Sequence, residues 1–67
     1  MNAQEIGQIL KRRRNELKLT AAVAAGMMNK STTHIMNIEN KTSSTKLDSI
    51  LAYMDFLGLH IDVKKTM

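Results

Sequence analysis

Leu19 to Asn40, LTAAVAAGMMNKSTTHIMNIEN, is the stretch on which the rest of the chain depends. It holds two short runs, each opened by a hydroxyl residue: Thr20 before an Ala-rich run and Ser31 before a second one. A hydroxyl in that place accepts a backbone N–H bond and caps a helix N-terminus. Between the runs stands Asn29, a residue type that tolerates the left-handed backbone ending a helix. The spacing therefore predicts helices over about Ala21 to Met28 and about Thr32 to Glu39, the length and separation of a helix-turn-helix. Ile35 and Ile38 take the inner face of the second helix, which turns Thr32, Thr33, His34 and Asn37 outward. Small side chains with donors and acceptors near the start of such a helix suit base edges in a major groove; the plain alternative is a solvated polar face.

Before this stretch, about Ala3 to Lys18 reads as an amphipathic helix. Ile9, Leu10, Arg13 and Leu17 follow Ile6 at helical steps and form one stripe. Asn2, three residues before Glu5, resembles a capping box, and Gly7 is a weak helix former that is tolerable if something packs closely there. Lys11 to Arg14 is a run of four basic residues, of which Lys11 and Arg12 are expected to face water or phosphate. In the helix after Leu19 the alanines permit close approach, while Val23 and Met28 supply the bulk.

Beyond it, Asn40 to Lys46 is a polar connector. Thr45, with Asp48 three residues on, is expected to cap a helix over about Lys46 to Leu57 whose buried stripe is Leu47, Ile50, Leu51, Met54 and Leu57, with Gly58 as its terminator. The period then changes. Leu59, Ile61 and Val63 alternate with His60, Asp62 and Lys64, as in a half-buried strand. A lone strand leaves backbone groups unpaired, so pairing with the same strand of a second copy is expected; the alternative is a tail folding its apolar face over the last helix.

With 67 residues, no cysteine and a single Tyr and Phe, the chain is expected to build one small core of Leu, Ile, Met and Ala, without disulfides or a thiolate zinc site. Its six methionines read as packing residues, and His34 and His60 stand in different segments, so no metal and no cofactor are expected. No paired carboxylates, nucleophile–base arrangement or phosphate-cradling glycine loop points to an enzyme. The net charge of +4 favours an anionic partner, nucleic acid first. With no apolar run long enough to span a bilayer and no signal-peptide pattern, the expected location is cytoplasmic.

From Ile6 to Val63 the sequence resembles the Cro and lambda-repressor type, or XRE, helix-turn-helix family. The resemblance is carried by Ile6 and Leu10, Arg14, Leu19-Thr20, Ala25, Ser31, Ile35 and the Ile38-Glu39-Asn40 close. The tail from Leu47 through Gly58 to Val63 is similar to the HipB branch, antitoxins and autorepressors that partner HipA-like Ser/Thr kinase toxins. The resemblance implies an all-α, lambda-repressor-like bundle of four to five short helices with a C-terminal β-strand pairing across a dimer. It divides the chain into a DNA-binding domain over 1–58 and a dimerisation strand and tail over 59–67. It implies base contacts from Thr32, Thr33 and Asn37, to which the outward position adds His34, and an ion pair between Arg14 and Glu39. Backbone contacts are expected from Thr20, Lys30, Ser31, Asn40, Lys41 and Arg12, and dimer pairing from Leu59, Ile61 and Val63. The implied partners are a palindromic double-stranded DNA operator, a second copy and a HipA-like kinase toxin.

Five positions depart from the family pattern: Ala21 stands for the usual Gln, Ala24 for Leu, Asn29-Lys30 for Gly-Val and Lys41 for Gly. Two rival functions follow. One is a toxin-binding module with weakened DNA recognition, the other a stand-alone phage or plasmid repressor.

Overall fold

In the computed structural model, which describes residues 1–61, the chain forms four α-helices and one 3-10 turn: α1 (Ala3–Glu16), α2 (Ala21–Met27), α3 (Thr32–Asn40), the turn Thr42–Ser44, and α4 (Leu47–Phe56). Three N-termini are capped as their sequences require. The Asn2 side chain accepts from the Glu5 N–H at 2.9 Å, Thr20 from Val23 at 3.1 Å and Ser31 from His34 at 3.0 Å. The fourth differs. Lys46 stands at the N-cap of α4 with no side-chain cap bond, and Thr45 turns back instead, its hydroxyl 2.9 Å from the Lys41 carbonyl and 3.2 Å from that of Asn37. Both carbonyls already accept one backbone N–H, Asn37 from Lys41 and Lys41 from Ser44, and the hydroxyl takes up the second acceptor site of each.

Helices α1, α2 and α4 end in the same closure. After each C-cap comes a left-handed residue: Lys18 at φ 59°, Asn29 at 58° and Gly58 at 76°. In each, the following N–H reaches back to close the last turn: Leu19 to the Arg14 carbonyl, Lys30 to Ala25 and Leu59 to Met54. Asn29 and Gly58 serve as their residue types predict. Lys18 corrects the expected extent of α1, which stops at Glu16 because the backbone has already turned left-handed.

The core joins Leu10 of α1, Ala24 and Ala25 of α2, Ile35 and Ile38 of α3, and Ile50, Tyr53 and Leu57 around α4. Gly7 marks the tightest crossing, where a Cβ would run into the Glu39 carbonyl oxygen and the Thr42 hydroxyl. Several stripe positions move outward relative to expectation: Leu17, Val23, Leu47 and Leu51 are all exposed. In α4 the cause is Tyr53. Its ring is fully buried, which rotates the inner face by about 60° from the expected stripe, to Ile50, Tyr53 and Leu57.

The expected C-terminal strand does not form among the described residues. Leu59 to Ile61 take no regular structure, because one chain offers no second strand to pair with. Leu59 packs against the core, as the tail alternative has it, while Ile61 stays exposed beside an apolar cleft of about 460 Å³ between α1 and α4. Val63 lies outside the described residues, as does everything from residue 62 to 67.

Candidate nucleic-acid interface

Helix α3 lies against both α1 and α2, held by Ile35, Ile38 and Glu39. At about 100° per residue, the opposite face is centred on Thr33, with Asn37 and Asn40 beside it and Met36 on its other flank. All four are exposed, as is Thr32. His34 is half-buried at the edge and lines, with Asn37, a shallow hollow continued by Ser44, Thr45, Lys46 and Ser49. The outward face of α3 thus runs on into the turn before α4 and the start of that helix. The sequence did not point to this continuation, although Ser44, Thr45 and Lys46 sit in the polar connector where such a flank would be sought; Ser49 belongs to the first turn of α4.

What fixes α3 is a buried set of side chains from three helices. The Arg14 guanidinium grips Glu39 with two bonds, Nε to Oε2 at 2.7 Å and Nη2 to Oε1 at 3.1 Å. Its Nη1 donates to the Leu19 carbonyl at 2.8 Å, fixing the chain just before α2. The Tyr53 hydroxyl donates to Glu39 Oε2 at 2.5 Å and brings in α4. Chiefly through its bond with Glu39, Arg14 holds its proton more firmly than an ordinary arginine, despite its burial. Burial, and after it the bond to Glu39, pushes the Tyr53 hydroxyl well above the usual phenol range. The spacing of Tyr53, three after Ile50 and four before Leu57, would have placed it on the inner stripe had aromatics been counted with the aliphatics.

The basic run of α1 is split in use. Arg14 is spent on Glu39, and Arg13 donates from Nε to the Leu57 carbonyl at 2.9 Å, closing the end of α4, while approaching Glu16 at 3.6 Å. Lys11 and Arg12 remain exposed. Arg12 lies about 160° round α1 from Arg14, on the side turned away from α3, whereas Lys11 lies about 60° from it. Lys30 and Lys41 flank α3 at its two ends, both exposed, as are Thr20, Ser31 and Asn40. The Thr20 and Ser31 oxygens accept the cap bonds, leaving their hydroxyl protons free to donate to a phosphate.

Among the described residues, no group of three or more His, Asp, Glu or Cys is placed to hold a metal ion, and no helix is long and apolar enough to cross a membrane.

No curated protein matches the chain. A family model described as helix-turn-helix, of the XRE type, matches residues 10–64, from the middle of α1 through the motif and beyond α4. With the paired helices α2 and α3, their capped starts and the left-handed turn at Asn29, that match covers most of the chain: it belongs to the XRE-type helix-turn-helix family of DNA-binding transcription regulators.

Proposed function

We propose that the protein is a sequence-specific transcriptional repressor that binds a palindromic operator as a homodimer, and that it is the HipB-like antitoxin and autoregulator of a toxin–antitoxin operon. The observation carrying the repressor reading is the outward face of α3. Thr33, Asn37 and Asn40 stand exposed on a helix whose inner face is locked by Arg14, Glu39 and Tyr53. Hydrogen-bonding side chains held on a rigid element are what reading a base edge demands. Thr32, Thr33, His34 and Asn37 are assigned to bases. Lys30, Lys41, Asn40, Thr20 and Ser31 are assigned to the backbone, with Lys11 better turned toward α3 than Arg12.

Residues 1–58 would then be the DNA-binding part and 59–67 the dimerising part, with Ile61 and Val63 pairing between copies. The exposed Ile61 side chain supports this, since it lacks cover in the single chain. The antitoxin role rests on the likeness of the tail to the HipB branch, which names a HipA-like kinase as partner.

A second reading, a partner-binding module with weakened DNA recognition, draws support from α2. Its exposed residues, Ala22, Val23, Gly26 and Met27, carry no charge and no hydrogen-bonding side chain, although the first helix of such a motif crosses the DNA backbone.

Selection of an operator from random duplex DNA tests the first reading. Thr33→Ala or Asn37→Ala should then weaken binding by ~1–3 kcal/mol and relax preference at one base position. Unaltered binding by both variants would refute the assignment of α3 to base reading.

A further inference from the structure

Met36 is half exposed and stands outside the buried core. It stands 48% exposed on α3, one helical turn from both Thr33 and Asn40, on the flank of the outward face about 60° round the helix from Thr33. Every other exposed side chain of that helix is a threonine or asparagine. A single exposed methionine elsewhere on a surface would call for no explanation. Here it stands within the surface assigned to base reading, and a groove wall has specific chemistry. The apolar feature of the major groove is the C5-methyl group of thymine; every other group that the base pairs present there is a donor or an acceptor.

We propose that Met36 is a specificity-determining residue that selects a thymine in each half-site by packing its thioether chain on the C5-methyl group. The inference rests on the DNA-reading function proposed above. Selection acts in both directions. Against thymine, Met36 and the methyl group leave water together. Against an exposed amino or carbonyl group of a G·C pair, the same side chain would strip water from a polar atom and return no hydrogen bond. The unbranched, flexible side chain can follow the methyl group without moving α3, whose backbone is held from behind by Glu39.

The test uses the full chain and its selected operator. Each thymine of a half-site is replaced in turn by uracil, which removes the methyl group and keeps every hydrogen-bonding atom, and affinity is measured for wild type, Met36→Ala and Met36→Leu. One thymine should respond, with affinity falling about four-fold for the buried methyl group. In Met36→Ala the same replacement should cost less than about 1.5-fold, while Met36→Leu, still apolar and long, should keep most of the effect. Because Met36 is half exposed and Ala favours a helix, Met36→Ala should stay folded, which circular dichroism checks. Uracil effects of equal size in wild type and Met36→Ala would overturn the assignment while leaving operator binding intact. A failure to select any operator would instead overturn the DNA-reading function, and this inference with it.

Discussion

Tyr53 shows how one side chain can organise a helix from its inner face. The only tyrosine of the chain, it is fully buried, and its hydroxyl bonds the carboxylate that Arg14 grips from the other side. Replacing it with phenylalanine keeps the ring and removes the bond, so Tyr53→Phe should cost ~1.5–3 kcal/mol in urea unfolding, the range for a hydrogen bond to a charged group. The pH dependence gives an independent check. An unfolded tyrosine ionises near ~10, whereas in the folded chain the phenol is held protonated to higher pH. The folded state therefore binds more protons than the unfolded one above pH ~10, so stability should fall as pH rises through that region, with a limiting slope of ~1.4 kcal/mol per unit. Below it Tyr53 adds no slope. In Tyr53→Phe this alkaline loss should disappear; an identical loss in both proteins would mean that another group is responsible. At this scale the sequence was legible where a residue type has one job, as with Thr20 and Ser31 at their caps. It was less so for Tyr53, whose position follows from a hydrogen bond to a residue 14 places away.

Among the elements, the helix ends were legible in proportion to how specialised their residues are. Asn29 and Gly58 announce left-handed closures; Lys18, with the same geometry, does not, because lysine has no preference for it. That mismatch has a measurable sign. Lys18→Gly should raise stability by up to ~1 kcal/mol, the relief of the left-handed backbone exceeding the extra freedom of glycine in the unfolded chain. Gly7→Ala should do the reverse. Alanine is the better helix former by up to ~1 kcal/mol. Its Cβ, however, would meet the Glu39 carbonyl and Thr42 hydroxyl at the α1–α3 crossing, so a net loss of ~1–3 kcal/mol is expected in thermal melting. The weak helix former of α1 is thus its closest point of contact. The stripe of α4 was read one-sidedly, since spacing of aliphatics alone cannot say that a polar-tipped ring will take the inner place and leave Leu47 and Leu51 outside.

For the whole molecule, charge and symmetry matter most. Ten basic residues suggest a broad footprint, but Arg13 and Arg14 are engaged within the fold, which leaves Lys30 and Lys41 at the two ends of α3, with Lys46 beside its outward face, among the free positive charges. Removing either lysine should weaken binding to all sequences alike and flatten the dependence of log affinity on log salt by ~0.9, as measured by titration at several salt concentrations. Ile61→Asp should convert the proposed dimer to monomer in light scattering; an unchanged mass would refute that interface. The helical bundle was legible in one sequence because each helix is specified locally. The alternation after Gly58 pointed to a strand that does not form among the described residues, because period alone does not supply the second strand that backbone pairing needs. Residues 20 to 40 look like a detachable reading head, yet Glu39 carries the acceptor for a guanidinium from α1 and a phenol from α4. Grafted alone onto another scaffold, the motif would bring a carboxylate shaped for two absent donors. A successful transplant must therefore carry Arg14 and Tyr53 along with it, or replace Glu39 by an apolar residue.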